Sequence, residues 1–410
     1  MKSDLDALMS ERNLDAILVF GDAQYNPSMY YLTGGGHVNS AILMKKRNEE
    51  PVLFCNMMER GEAMKSGLTV KPLRYSPMEE FLNETGKQAL INSGLKSGRI
   101  GLYGKANVSV VKAITDHLTQ ALPGLTFVGE SGSDNIFKYA MESKDQAEVA
   151  RIRKMGAVTT EVVRLTAEYL TACNVRDDEV LLKDDNLPVT IADVKQKINL
   201  WLAERGAVPS AGYIFAIGAD AGVPHSQGNP DDLLRLGQTI VFDIYPQEQG
   251  GGYFYDFTRT WSLGYATPEA QKLYDEVHAV YDKVVENLDL NVNFREYQKM
   301  TCEEFHKLGH NTPMHTEGAL TEGYVHSLGH GLGLNVHERP VSRHTASDDN
   351  ILKPGVVITI EPGLYYPEQG MGFRIEDTYW VRPDGKMELL ADYPYDFVLE
   401  MKKWKKQNQY

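Results

Sequence analysis

Four acidic residues interrupt segments that otherwise have the apolar composition of β-strands. Asp243 lies in TIVFDIY, Asp256 in YFYDFT, Glu361 at the end of VVITIE and Glu376 in GFRIED. An ionised carboxylate in a buried strand is costly unless it is paired or binds a metal. A single acid of this kind is more often a salt-bridge partner, but four of them in two pairs favour a metal site.

The spacing of these acids predicts two antiparallel hairpins. The first two acids flank PQEQGGG and the other two flank PEQGMG, so each pair would lie roughly opposite on adjacent strands, centred near Gln249 and Glu368. If the two hairpins face each other, four carboxylates share one pocket, and two divalent cations would neutralise their charge. Two cations about 3.5–4 Å apart are typical of hydrolytic sites, where a water between them is activated near neutral pH.

A non-acidic ligand is predicted within HSLGHGLGLNVHERP, which contains His326, His330 and His337. The glycines let the backbone approach closely, and the central His330 is the best candidate. The segment is not the HExxH zinc motif, because no glutamate follows the first histidine of an i, i+4 pair. A site rich in carboxylates with one imidazole suits hard or borderline ions, with manganese first and cobalt, iron or zinc as alternatives.

The elements that must position these groups divide the chain in two. Over residues 1–140, short apolar runs such as AILVF and AILMKK alternate with helical patterns, which predicts an α/β domain. One helix is expected over PMEEFLNETGKQALINSGL. A capped helical pattern from Ser143 opens a second domain, 141–410, whose later strands predict an α+β fold. The acidic stretch 176–188 is expected to be a surface excursion.

Composition excludes several classes of function. The 410 residues are 42% hydrophobic and 24% charged, as in globular proteins, and the net charge of −14 disfavours nucleic acid and anionic lipid as partners. No run approaches the roughly 20 apolar residues of a membrane span. The N-terminus lacks a signal-peptide pattern, and three widely spaced cysteines fit a reducing compartment. We therefore expect a cytoplasmic protein that binds neither nucleic acid nor membrane.

Together these segments closely resemble a metallopeptidase family that includes Xaa-Pro aminopeptidase, Xaa-Pro dipeptidase (prolidase) and methionine aminopeptidase. The resemblance runs from DIYPQEQGGGYFYDFTRT through HSLGHGLGLNVHERP and ITIEPGLYYP to GFRIEDT. It implies a pita-bread catalytic domain over 141–410, preceded by a smaller creatinase-like α/β domain over 1–140. It also implies a homodimer and short proline-containing peptides as substrates.

The resemblance also implies the metal ligands, for two divalent cations. Asp243 is expected to chelate one metal, and His330 and Glu361 the other. Asp256 and Glu376 are expected to bridge both. Two features depart from the family: the loop between the first two acids is longer than usual, and the acidic stretch is uncommon. Neither departure removes a ligand.

Catalytic and binding roles follow from the same resemblance. His225, in GADAGVPHSQG, matches a histidine near the scissile bond, and His326 matches one that lines the proline side. His337 matches one that stabilises the tetrahedral intermediate, and Glu361 matches the proton acceptor. Arg374 shares a strand face with the last ligand and matches an arginine that orients the carboxylates from behind.

The choice of substrate remains open between related activities. A dipeptidase needs a cation for the free carboxylate of proline, and Arg343 or Arg339 could supply it, although either could equally be a surface charge. We predict Arg343 and a dipeptidase. The alternatives are an Xaa-Pro aminopeptidase on longer peptides and a non-peptide hydrolase or lyase on the same scaffold. A non-catalytic protein-binding module is least favoured, because such modules usually lack the ligand set.

Overall fold

The computed structural model describes residues 4–132 and 134–404. Internal contacts divide the chain into two compact units: the residues up to Met141 with Gln249–Gly252, and Glu142–Glu248 with the residues from Tyr253 onward. Each unit has its own core of buried apolar side chains. Within the described ranges, no helix has the length and apolar character needed to cross a membrane.

The first unit is built on a six-stranded mixed sheet, as expected for an α/β domain. Its strands, in spatial order, are Thr69–Leu73, Val52–Asn56, Ala41–Lys46, Ala16–Gly21, Ser97–Gly104 and Gly124–Val128. Its helices are Leu5–Glu11, Pro27–Thr33, Arg60–Met64, Pro77–Glu80, Glu84–Asn92, Val108–Ala121 and Ile136–Ala140, with a 3-10 turn at Met57–Glu59. The apolar run AILVF forms a central strand that is buried along its whole length.

The single helix predicted over PMEEFLNETGKQALINSGL is wrong, because the chain forms two helices there. The first ends at Glu80, and Phe81, which follows, is fully buried in the core of the first unit. Asn83 is extended, with φ −127° and ψ −172°, and the second helix starts after it. Burial of the phenylalanine therefore turns the chain where helical periodicity alone would continue it.

The second unit combines helices with several small sheets. The helices are Gln146–Ala172, Ile191–Glu204, Pro268–Glu286 and Arg295–Lys307, with 3-10 turns at Asp220–Gly222 and Pro367–Gln369. One sheet contains Tyr213–Ile217, Thr239–Ile244, Phe257–Leu263 and Val398–Leu399, and another contains Glu338–Val341, His330–Gly331, Val357–Ile360, Asp377–Val381 and Met387–Leu389. Two-stranded pairs join Gly363–Tyr366 to Met371–Arg374, Ala207–Val208 to Gln247–Glu248, and Asn174–Val175 to Leu181–Leu182.

Two helices of the second unit begin at reciprocal side-chain caps. Asp145 accepts hydrogen bonds from the first turn of the long helix, and Glu148 bonds back to the cap backbone. Thr190 and Asp193 form the same arrangement. The predicted long helix is present, and its cap lies two residues after Ser143. Each cap satisfies backbone N–H groups that have no partner within the helix.

The acidic stretch 176–188 is only partly a surface excursion. Its four aspartates are exposed, as predicted, but Glu179 is partly buried and Val180 and Leu181 are fully buried. The N–H of Leu181 donates to the carbonyl of Leu234 at 2.9 Å. The apolar VLL between the charged residues therefore anchors this stretch, which the charge pattern alone does not reveal.

Candidate metal centre and active site

The first predicted hairpin is present and carries two acids on one face. Strands Thr239–Ile244 and Phe257–Leu263 pair antiparallel, with Asp243 opposite Thr258. Asp256 lies two residues before Thr258, so it shares that face and sits diagonally from Asp243. The acids were expected roughly opposite each other, and the observed register is offset by two positions from a direct pairing of Asp243 with Asp256.

The second predicted hairpin places its acids opposite each other. Ile360 pairs with Asp377 in one ladder and Gly363 with Arg374 in the next, which leaves Glu361 facing Glu376 between them. The two hairpins meet at an isolated bridge between Thr258 and Glu376, whose N–H groups donate to each other's carbonyls at 3.3 and 3.1 Å. This bridge brings all four acids to one place.

Glycines bring the His330 segment against this junction, as the sequence predicted. A Cβ atom on Gly329 would lie 2.0 Å from the carbonyl oxygen of Thr359, and one on Gly331 would lie 1.9 Å from that of Arg339. Only residues without a side chain fit such contacts, so the alternating glycines allow a strand to pack where any other residue would collide.

The His330 imidazole faces the acids. Its Nε2 is 3.4 Å from Oε1 of Glu361 and 3.7 Å from Oδ2 of Asp256. Ligand atoms of Asp256, His330 and Glu376 lie within 4.8 Å of one another, a spacing at which they could hold one ion. Nδ1 of His330 lies 3.0 Å from the carbonyl of Gly331, so Nδ1–H donates there and Nε2 keeps a lone pair toward the acids.

The carboxylates are in an environment that opposes their charge. Burial, then repulsion from Asp243, raises the pKa of Asp256 well above its ordinary value. Burial, then repulsion from Asp256, does the same for the pKa of Glu376. Burial raises the pKa of Glu361 to about 8 and lowers that of His330 to about 3. Groups of this kind become ionised ligands when cations occupy the space between them.

Two buried oxygen atoms support the presence of cations at this site. Oδ1 of Asp243 and Oε1 of Glu376 are buried without a hydrogen-bond partner among the described residues. Their companion oxygens are engaged, because Oδ2 of Asp243 accepts from Arg374 and Oε2 of Glu376 accepts from Thr258 at 2.8 Å. A buried carboxylate oxygen without a partner is costly, so the predicted set of donors fits divalent metals.

Arg374 connects the acids to the histidines from behind. Besides Asp243, its guanidinium donates to Oγ1 of Thr258 at 3.2 Å and to the hydroxyl of Tyr365 at 2.8 Å. That hydroxyl donates in turn to Nε2 of His326 at 3.0 Å, because Nδ1 of the same ring donates to the carbonyl of Ser327. One buried arginine thereby holds groups on both sides of the site.

A second buried arginine fixes the strand of Glu376. Arg259 forms an ion pair with Asp377 at 3.0 Å, and their side chains are 1% and 0% exposed. The same guanidinium donates to the carbonyls of Glu376 and Thr258, both at 3.0 Å. Tyr281 satisfies the remaining oxygen of Asp377 at 2.6 Å. The pair therefore holds the bridge between the two hairpins.

Two cavities meet at this centre. The inner cavity, of about 270 Å³, is lined by all five predicted metal ligands. The outer cavity, of about 610 Å³, opens beside it and contains the predicted substrate residues His326 and Arg343. His225 and His337 line both cavities. The structure thus brings every predicted site residue to one connected space.

The two candidate arginines for a carboxylate differ in position. Arg343 is exposed and lines the outer cavity next to His344. Arg339 is buried, does not line the cavity, and pairs with Asp349 at 2.9 Å. Of the two, Arg343 therefore has the better position to meet a ligand.

Sequence reasoning missed two tyrosines of the site. Tyr365 lies behind the ligands, in contact with Arg374, and Tyr245 lines the inner cavity. Side chains on an extended chain return to the same face every second residue. Tyr365 follows Glu361 by four residues and Tyr245 follows Asp243 by two, so this periodicity would have found both.

Comparison with known proteins agrees with this geometry. A family model described as metallopeptidase family M24 matches residues 150–383, and one described as the creatinase/prolidase N-terminal domain matches residues 2–132. The Xaa-Pro dipeptidase of Pyrococcus horikoshii is 27% identical over 384 residues, which cover 93% of this chain and 94% of that protein. A putative dipeptidase of Bacillus subtilis is 28% identical, over 91% of this chain and 93% of its own.

Solved structures share the fold. The Xaa-Pro dipeptidase from Bacillus anthracis has a TM-score of 0.77 at 19% identity and covers 97% of this chain and 99% of its own. The X-Pro aminopeptidase from Thermotoga maritima has a TM-score of 0.73 at 21% identity, covering 94% and 97%. These similarities confirm the predicted fold class, a creatinase-like α/β domain followed by an α+β pita-bread domain.

Proposed function

Because the chain belongs to metallopeptidase family M24, we propose that it hydrolyses the Xaa-Pro bond of short peptides, acting as a dipeptidase. The observation that carries this proposal is the polarity of the connected cavities. A cage of buried acids lines the inner cavity, and the cationic side chain of Arg343 lines the outer one. A dipeptide has the matching polarity, with an amine at one end and a carboxylate at the other.

The proposed metal ligands are Asp243, Asp256, His330, Glu361 and Glu376. We assign them to two divalent cations, with manganese preferred over cobalt, zinc or iron. When bound, the metals would supply an activated water and polarise the substrate carbonyl. The orphaned carboxylate oxygens and the Nε2 lone pair support this assignment.

The chain's own residues then handle protons and orientation. Glu361 takes the proton of the attacking water as the general base. His337 donates to the developing oxyanion. The nitrogen of an Xaa-Pro bond carries no hydrogen, so it needs a proton as it leaves, and His225 supplies it from the wall shared by both cavities.

The proline side of the substrate would lie in the outer cavity. His326 lines that cavity in an orientation held by Tyr365. Burial, then the charge of Arg374, lowers the pKa of His326 to about 3, so the ring is neutral at working pH and can contact the apolar proline ring. Arg343 then meets the carboxylate of the proline.

The molecular setting belongs to the same proposal. Residues 1–140 would be the creatinase-like N-terminal domain and 141–410 the catalytic domain, and the family models match within these limits. We further propose a cytoplasmic homodimer whose partners are short peptides, without nucleic acid or membrane. The net charge of −14 supports the exclusion of anionic partners.

A second candidate activity is that of an Xaa-Pro aminopeptidase on longer peptides. The volume of the outer cavity, about 610 Å³, favours it, because this space could take a residue beyond the proline. The position of Arg343 favours the dipeptidase instead, since a longer peptide carries no carboxylate on its proline.

One assay separates these activities. Leu-Pro and Leu-Pro-Gly are hydrolysed in parallel by chelated protein and after addition of manganese, cobalt, zinc or iron. We expect no turnover after chelation, restoration by metal, and a preference for Leu-Pro. R343M should raise the KM for Leu-Pro about two- to fivefold, the upper range for one exposed ion pair, and leave the KM for Leu-Pro-Gly unchanged. The control R382M removes a surface arginine that is paired with Asp384. It should change the KM for neither peptide. A preference for Leu-Pro-Gly would overturn the dipeptidase.

A further inference from the structure

The inner and outer cavities differ in charge at their far ends. Five residues line both cavities and form the middle of the site: His225, His330, His337, Glu361 and Arg374. Beyond it, the outer cavity is lined by Arg343, His344 and uncharged side chains, with no further acid among the described residues. Among the same residues, the charged groups that the inner cavity adds are all acids, namely Asp243, Asp256 and Glu376. A peptide that crosses the middle therefore has its amine favoured in the inner cavity.

Tyr245 lies at this acidic end. It follows strand Thr239–Ile244 and is two residues beyond Asp243, which puts both side chains on one face of the extended chain. It lines the inner cavity beside Ala211 and Ile214 and does not line the outer one. The phenol thus lies on the inner side of the site, with the acids that line only the inner cavity.

The hydroxyl of Tyr245 is available to a ligand. Among residues 4–132 and 134–404, no hydrogen bond reaches it, although the residue is half-buried. A phenol oxygen accepts a hydrogen bond from an N–H group. The neighbouring Ala211 and Ile214 offer no polar side-chain group that could take this role.

We propose that the hydroxyl of Tyr245 binds the α-amino group of the substrate and so selects peptides with a free amine. This inference rests on the proposed function, since it takes the ligand to be a short peptide. It adds a binding residue in the inner cavity, where the amine end of the peptide would lie. The hydroxyl accepts from the amine, while the acids around it neutralise the charge of a cationic amine.

The test compares two ligands that differ only in the amine. Leucine and 4-methylpentanoate have the same carbon skeleton and carboxylate, and the second lacks the amino group. Their binding to manganese-loaded wild-type protein and to Y245F is measured by calorimetry. We expect Y245F to weaken leucine binding about three- to tenfold, the range of one hydrogen bond. Binding of 4-methylpentanoate should change less than twofold, and metal content should not change.

A matched control comes from the neighbouring strand. Tyr213 pairs with Ile244, but its hydroxyl donates to the backbone carbonyl of Lys195 or the Oδ1 of Asn199, both at 3.0 Å, and the residue lines neither cavity. Y213F should leave both affinities unchanged. Equal loss for both ligands, no loss for leucine, or a wild-type protein that does not prefer leucine would each overturn the inference. Hydrolysis of Leu-Pro by the wild type is measured separately, so failure of the proposed function appears as a different result.

Discussion

At the scale of single residues, the site depends on groups that would be unfavourable anywhere else in the fold. Asp256 and Glu376 are buried close to each other, and repulsion between them adds to the cost of burial. Two buried arginines lower this cost. Arg374 forms an ion pair with Asp243, and Arg259 donates to the backbone carbonyl of Glu376. We therefore expect the residues behind the proposed ligands to affect metal affinity and activity.

The first residue-scale prediction concerns the shape of the Arg374 side chain. R374K keeps the charge but cannot reach Asp243, Thr258 and Tyr365 together, because an ammonium lacks the planar fork of a guanidinium. We expect kcat/KM for Leu-Pro to fall about 10- to 100-fold, the range for groups that orient metal ligands. Steady-state kinetics and metal analysis measure the effect.

The matched control is R382K, since Arg382 pairs with Asp384 at the surface and touches no site residue. It should retain full activity, because exposed ion pairs contribute little. If R374K were as active as R382K, the orienting role of Arg374 would be excluded.

At the scale of elements, backbone contacts decide whether the site can assemble. The strand of His330 lies so close to its neighbours that a Cβ on Gly331 would collide with the carbonyl of Arg339. A Cβ on Gly333 would lie 2.4 Å from Oε2 of Glu338, whose side chain forms a buried ion pair with Lys144 at 2.7 Å. Glycines at these positions allow three strands to approach one another.

The element-scale prediction follows from the contact at Gly331. Because the colliding atom is a backbone oxygen, G331A forces the strands apart, and we expect a loss of stability of about 3 kcal/mol, the upper range for overpacking. Metal affinity should fall as well, because His330 moves with the strand. Thermal unfolding and metal analysis of the same preparation measure both.

G61A serves as its counterpart, because a Cβ on Gly61, in helix Arg60–Met64, would meet no atom within 4 Å. It should leave stability unchanged or raise it by about 0.5–1 kcal/mol, since alanine favours a helix over glycine. Similar unfolding temperatures for G331A and the wild type would show that the strands are not held at this distance.

At the scale of the whole molecule, the site links metal binding to folding. Its proposed ligands come from segments as far apart in sequence as Asp243 and Glu376, and they meet only in the folded chain. Anything that binds the folded state alone stabilises it, by about 2.7 kcal/mol at a hundred times Kd. The raised pKa values make this stabilisation depend on pH.

We expect the metal-free protein to lose stability between about pH 6.5 and 8, because the folded pKa of Glu361 is about 8 and the opposing contribution of the buried His326 and His330, whose ordinary pKa is 6.5, is complete by then. The ordinary pKa of Glu361 is 4.5, so the folded state keeps a proton that the unfolded state has already lost. This contribution is fully present below the ordinary pKa and disappears as the pH rises through the folded one. The gap in unfolding temperature between metal-loaded and metal-free protein should therefore widen as pH rises, as measured by calorimetry.

E361Q provides the comparison for this effect, because a neutral amide removes the titration but keeps the size of the side chain. Metal-free E361Q should show a weaker decrease in stability over the same pH range. The difference in unfolding temperature between metal-loaded and metal-free wild type should not stay constant or narrow toward pH 8. Either result would contradict the link between burial of these acids and metal binding.

Much of this protein is determined by local patterns in its sequence. Acids within apolar strands and a histidine among alternating glycines indicated the residues that line the inner cavity, because burial of charge is costly wherever it occurs. Paired acids on either side of short polar loops predicted both hairpins, and the structure contains both. The capped helices at Asp145 and Thr190 also follow from local chemistry.

Other features were decided only by tertiary contacts. The break after Glu80 depends on burial of Phe81, and the anchoring of the acidic stretch depends on a hydrogen bond to Leu234. The choice between Arg339 and Arg343 also required the fold, since one is paired internally and the other lines the cavity. Local patterns report what a residue type favours, whereas these outcomes depend on which distant residue occupies the adjacent space.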